Sequence, residues 1–175
     1  MRTILIILVA AAATPAAAEV VSAGQNGFEV RETVQLVVPP NVAFESFGNV
    51  ADWWDSEHTY SGDSANLSLN MEPGGCFCER FPKTGGGIEH LRVIYIEPGK
   101  HVILTGALGP LLYEATTGVM DVQVKGIAGG SMITLDYKVA GFANGGAAKL
   151  APAVDEVLAG QMRRYRAYAT SRPKT

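Results

Sequence analysis

Apolar and polar residues alternate from Phe28 to Leu36. Phe28, Val30, Val34 and Leu36 share one phase and Glu29, Arg31, Thr33 and Gln35 the other, the period-two signature of a strand with one buried face. Glu32 falls on the buried phase. A lone buried charge is costly, so a bulge or edge position that shifts the phase is expected there, ahead of a carboxylate lining a wet cavity. Pro39-Pro40-Asn41 stops the strand and opens a short helix over residues 41–47, because proline is tolerated in a first helical turn. Gly48 breaks that helix, and Asn49 caps a second short one through Trp54. Residues 55–64 form a polar loop whose Asp55, Glu57, His58 and Asp63 do not match the spacing of a calcium loop.

Two β-type runs, 65–71 and 76–81, flank Glu72-Pro73-Gly74-Gly75, where proline presets one turn dihedral and glycine permits positive φ. Further strands are expected at 88–97, 102–108, 116–125 and 131–139, each ended by a Gly or Pro-Gly break; the last two are joined by the glycine-rich turn 126–130 and should pair. From Ala147 onward the pattern changes. Leu150, Val154, Val157, Leu158, Gln161, Tyr165 and Tyr168 fall at helical spacing, so one long C-terminal helix is expected, firm from Pro152 and ended by Arg172-Pro173. The order strand, two short helices, about six antiparallel strands and a long helix predicts an α+β fold in which a curved antiparallel sheet of about six to seven strands wraps around the C-terminal helix. Two short helices cannot completely plug the space between a curved sheet and one helix. A cavity near Trp53 and Trp54 is therefore a geometric expectation.

Composition changes this picture little. The 175-residue chain has a formal net charge of −3 and no basic stripe of the kind that neutralises phosphates, so a nucleic-acid partner is not expected. The N-terminus adds more. Met1-Arg2-Thr3, the apolar run 4–13 and the small residues Pro15-Ala16-Ala17-Ala18 have the layout of a signal peptide cleaved after Ala18. The apolar run is short for a spanning helix, which needs about 20 residues. Export to the periplasm or secretion is expected, without a stable membrane anchor, into a compartment where disulfides persist.

The order of elements, with Trp53-Trp54, Tyr60-Ser61-Gly62-Asp63, Leu67-Ser68-Leu69, Pro73-Gly74-Gly75-Cys76-Phe77-Cys78-Glu79 and Ile96-Glu97-Pro98-Gly99, resembles the helix-grip fold of the START-like, or SRPBCC, superfamily. Within it the chain is similar to an exported bacterial branch near Hsp90-activator-like and polyketide-cyclase-like members. The resemblance covers about residues 28–170. With the leader read from its own residues, the chain is expected to divide into a cleaved leader (1–18), a mobile start (19–27), one START-like domain (28–170) and a mobile tail (171–175). The resemblance implies the fold more than the function, since members bind lipids, hormones or polyketides, cyclise or dehydrate substrates, or regulate chaperones. Export argues against a role with a cytosolic chaperone.

Candidate chemistry is sparse. Cys76 and Cys78 are the only cysteines. In a regular strand their Cα atoms would stand about 6.6 Å apart, near the upper limit for a disulfide. Two packed thiols are the expectation, with a bridge or a metal pair as alternatives. His58, His90 and His101 show no ligand-type spacing, and neither a metal nor a cofactor is expected. Glu79 and His90 sit on neighbouring strands as a candidate acid/base pair. Their inward or outward phase stays open, and a cross-strand ion pair with Arg80 or Arg92 is the expected use of the charges. Of Trp53 and Trp54, one should be core and the other a cavity wall. Tyr60, Tyr113, Tyr137, Met162 and Tyr165 are candidates for the same wall, with plain packing as the competing reading, and Gln161 is the polar exception on the inner helix face. A non-catalytic binding protein for a small hydrophobic or aromatic molecule is expected first. A cyclase or dehydratase using Glu79 and His90 is the alternative. No nucleophile motif, phosphate loop or dinucleotide fingerprint occurs.

Overall fold

The alternation from Phe28 runs unbroken through β2 (Gly27–Leu36), where Phe28, Val30, Glu32, Val34 and Leu36 are all buried. The computed structural model describes residues 17–172. β2 pairs antiparallel with the strand Gly130–Phe142 in continuous register, Glu32 opposite Leu135. The bulge expected at Glu32 is thus not there, and the carboxylate lies buried in mid-strand. The register shift falls instead on the edge strand β1 (Ala17–Gly24), between Val20 and Ser22. β1 also corrects the expectation of a mobile start over 19–27. Its extra residue, Val21, breaks the period-two pattern and so hides the strand, while Gln25-Asn26 closes the hairpin with Gly24 opposite Gly27.

After β2 come α1 (Pro40–Gly48) and α2 (Val50–Trp53), then β3 (Leu67–Leu69), β4 (Cys76–Phe81), β5 (Gly86–Glu97), β6 (His101–Gly106), β7 (Ala115–Ile127), β8 (Gly130–Phe142) and α3 (Ala151–Ser171). Among the described residues the strands form one antiparallel sheet of eight, in the order β1-β2-β8-β7-β6-β5-β4-β3. That is slightly more than the six to seven expected, and β1 supplies the difference. The sheet curves around α3 in the helix-grip arrangement. The leader expected over 1–18 lies outside the described residues except for its last two, which open β1. Residues 173–175 of the expected tail also lie outside, and α3 continues to Ser171. Among the described residues no helix is long and apolar enough to cross a membrane.

α3 packs chiefly across β2, and also against β1 and α1. Its C-terminal half buries Met162, Tyr165 and Ala169 at helical spacing, and each large side chain so buried contributes roughly 1.5–3 kcal/mol. The Tyr165 ring meets Trp53 edge-on at 5.4 Å and Phe47 at 6.0 Å, and its hydroxyl donates to the Ala43 carbonyl at 2.8 Å. Burial drives that phenol far above its ordinary pKa, so it stays a donor. This aromatic cluster closes one end of the space between helix and sheet.

Candidate functional site

At the other end a cavity of about 390 Å³ remains between the N-terminal half of α3, residues 57–60, residues 108–113 and the inner face of β4 and β5. That volume lies at the lower end of the range of small-molecule pockets. Trp54, Tyr60, Phe77 and His90 form one side of it; Val154, Val157 and Leu158 of α3 form the other. Tyr113, 77 % exposed, stands at the rim.

His90 reaches this wall through a β-bulge. Phe77 pairs with Leu91, but Cys78 pairs with Glu89, so β5 carries one extra residue at that point, and the residue is His90. The two-for-one arrangement turns His90 and Leu91 both inward, where both are buried, and leaves Glu89 exposed on the outer face. Bulges commonly re-aim a side chain in this way. Glu79, buried on β4, points to the same interior, and its Oε2 lies 3.1 Å from His90 Nε2. The expected ion pair with Arg80 or Arg92 is not made. Arg92 Nε instead donates to Glu89 at 3.0 Å on the outer face, and Arg80 is exposed. The bulge separates the charges onto two faces.

Glu79 lies just behind the wall rather than on it. Burial pushes its carboxyl up, but hydrogen bonds from Ser61, Tyr60 and His90 outweigh that and hold it below the usual carboxylate range. The Tyr60 amide donates to Oε2 at 3.1 Å and the Ser61 amide to Oε1. Burial lowers the His90 pKa, against the opposing pull of the Glu79 hydrogen bond and charge. A neutral imidazole beside an ionised carboxylate donates from Nε2 and keeps Nδ1 as an acceptor.

Trp54 lines the cavity and donates its indole N–H to the His58 carbonyl at 3.0 Å, which folds the polar loop under the ring. Trp53 belongs to the packed core and donates to the Ser46 carbonyl at 3.1 Å. Gln161 and Met162 border, with Trp53, a residual void of about 10 Å³, too small for a ligand. Gln161 Oε1 accepts from the Asp55 amide at 2.8 Å and so tethers the loop to α3. Tyr165 is core. Tyr137 lies behind the wall. Its hydroxyl donates to the Gly106 carbonyl at 3.1 Å and accepts from the Leu108 amide at 3.2 Å, anchoring the segment that runs on to Tyr113, and burial pushes its pKa up to about 12. Gly118 makes room for that ring, since a Cβ there would lie 2.5 Å from it. Of the sequence-derived candidates, Trp54, Tyr60, His90 and Tyr113 come together on the cavity, whereas Trp53, Glu79, Tyr137, Gln161, Met162 and Tyr165 support it from behind.

Residues not singled out beforehand complete the wall. Phe77 was legible only as a strand residue, and Val154 and Val157 only as part of the apolar face of α3. Glu57, His58 and Thr59 come from a stretch expected to be a solvated loop. Its Tyr60 hydroxyl donates to the Gly109 carbonyl at 2.7 Å, which joins it to the opposite rim.

Cys76 and Cys78 form a disulfide, correcting the expectation of two packed thiols. Their Cα atoms are 5.3 Å apart, closer than in a regular strand, as the bridge between them requires. These two sulfurs and the Glu89 carboxylate lie within 4.8 Å of one another, but a disulfide has no thiolate to offer a metal. His101 bonds Asp121 at 2.8 Å, away from His90 and the exposed His58.

No family model matches the chain, and no curated protein matches it in sequence. Solved structures do. An uncharacterised protein of Rhizobium leguminosarum superposes with a TM-score of 0.61 at 15 % identity, covering 89 % of this chain and 98 % of its own. The Mll3558 protein of Rhizobium loti does so with a TM-score of 0.59 at 21 % identity, covering 84 % and 99 %. DynU16, a protein of the dynemicin biosynthetic locus, gives 0.57 at 16 % identity, with 82 % of this chain matching 47 % of that one. At such identities the likeness is one of fold: a curved antiparallel sheet gripping a long C-terminal helix.

Proposed function

We propose that this protein binds a small, mostly apolar ligand in the cavity between α3 and the sheet, and that it does so after export. The observation that carries the binding function is the cavity itself: about 390 Å³, walled by Trp54, Tyr60 and Phe77 and by the aliphatic side chains of α3. Concave apolar spaces with few polar groups are the usual form of a small-molecule site. Export is supported by the leader-like N-terminus and by the Cys76–Cys78 disulfide, a bond that persists chiefly in oxidising compartments. The test is a titration with a hydrophobic probe such as anilinonaphthalene sulfonate, followed by tryptophan emission in the wild type and in Trp54→Phe. A saturable signal that loses most of its amplitude in Trp54→Phe is expected. A linear, non-saturating response would refute binding.

A second reading, catalysis of the cyclase or dehydratase type, is favoured by one observation. Glu79 and His90 both face inward at 3.1 Å, with the imidazole on the wall. A carboxylate that orients a neutral histidine makes that histidine a competent general base. Unchanged product turnover in His90→Gln, once a turned-over substrate is in hand, would remove it.

A further inference from the structure

Glu57, His58 and Tyr113 stand exposed at the rim of the cavity; the remaining polar groups of its wall are almost all engaged. Trp54 Nε1 donates to His58, Tyr60 Oη to Gly109, and Thr59 Oγ1 to the Ser56 carbonyl at 2.8 Å. The exception is His90 Nδ1, which is buried and has no hydrogen-bond partner among the described residues. Its ring is held between Tyr60, stacked at 5.9 Å, and Phe77 at 5.2 Å. The other ring nitrogen is committed to Glu79, and Glu79 in turn to the Tyr60 and Ser61 amides. That chain fixes the tautomer: a carboxylate already receiving N–H donors can only accept from Nε2, so Nδ1 presents a lone pair.

We infer that the cavity selects flat, apolar molecules bearing a hydroxyl donor, a phenol or enol, and receives that hydroxyl on His90 Nδ1; this rests on the binding function proposed above. A buried acceptor left unpaired is costly, and a hydrogen bond made to it recovers part of that cost. A ligand that donates to Nδ1 therefore gains over one that cannot. The surrounding Trp54, Tyr60 and Phe77 rings suit an aromatic body and leave little for a heavily hydroxylated one.

The decisive comparison is 2-naphthol against 2-methoxynaphthalene, two probes alike in shape of which only the first donates. Hydrophobicity alone favours the ether, so selection for the phenol must come from a polar contact. Titrated into the wild-type protein and read by tryptophan emission, naphthol should bind about two- to tenfold more tightly. In His90→Phe the ether should still bind and the preference should vanish. As a second measurement independent of the folding of that variant, naphthol should shift the ¹⁵N resonance of His90 Nδ1 in the wild type, and the ether should not. If both probes bind saturably with equal affinity, or if naphthol leaves the Nδ1 resonance unmoved, the donor selection is wrong while the cavity still binds. If neither probe binds, the binding function itself fails and this inference with it.

Discussion

Glu32 stands in the middle of β2, fully buried, and neither of its carboxylate oxygens meets a hydrogen-bond partner among the described residues. Burial first, and then the Asp155 charge, push its pKa up to about 8, against a lowering pull from Arg163; Asp155 is itself raised by burial and by Glu19. Between the ordinary glutamate value of 4.5 and about 8 the folded state keeps a proton that the unfolded chain has lost. Stability therefore falls as pH rises through that window, by on the order of 1.4 kcal/mol per pH unit at most, and the loss is complete above it. His90 acts in the opposite sense. Its folded pKa is lowered from 6.5, so its contribution rises with pH and is fully present above the unfolded value. Urea unfolding at pH 7 and pH 9 isolates Glu32. The wild type should be less stable at pH 9, and Glu32→Leu should flatten the profile and be the more stable protein there. Parallel profiles would show that Glu32 carries no such load. The sequence put Glu32 on the buried phase but expected a bulge, because a buried carboxylate looks expensive; a proton retained by the folded state removes most of that expense, and alternation cannot register a proton.

The pair β4 and β5 explains why the phase of His90 was not legible. Period-two reasoning assumes one residue opposite one, and at Phe77 the sheet places two opposite one. Nothing in the run Ile88 to Val93 announces the extra residue: Glu89, His90 and Arg92 are all polar, and either phase reads as acceptable. The disulfide sits directly across this irregularity. Cys76 pairs with Arg92 and Cys78 with Glu89, and the residue between the cysteines is Phe77, which touches both Trp54 at 5.3 Å and His90 at 5.2 Å. Bridging so short a loop contributes little stability, on the order of 1–2 kcal/mol in the chain-entropy account. Its larger effect is on position. Removing the bridge lets β4 return toward regular strand spacing and carries Phe77 with it. Cys76→Ser/Cys78→Ser is expected to lower the melting temperature by only a few degrees yet weaken naphthol binding several-fold and move the His90 ring resonances. Binding and resonances identical to wild type would make the disulfide a surface staple only.

Across the whole molecule the long helix plays two parts along its length. The apolar face of α3 was legible as a single stripe, because helical spacing reports which side is buried and not what it is buried against. The structure divides the stripe. Where α1 and α2 lie against it, Met162 and Tyr165 interlock with Phe47 and Trp53; nearer its N-terminus, residues 108–113 and the 57–60 loop hold the sheet off, and Val154 and Val157 face the cavity. Which half packs depends on loops whose sequences carry no period, and that placed the cavity beyond what pattern reading reaches. The division predicts opposite responses to mutation. Val157→Phe adds volume where there is room, so it should leave the melting temperature unchanged or raised while weakening probe binding at least about tenfold. Met162→Ala removes volume from a packed site and should cost about 2–5 kcal/mol in urea unfolding, with probe affinity in the folded protein within about threefold of wild type. The two substitutions lie five residues apart on one helix. If both reduced stability and binding together, the cavity and the core would be one cooperative unit, and a binding space set apart within the grip of sheet on helix would be excluded.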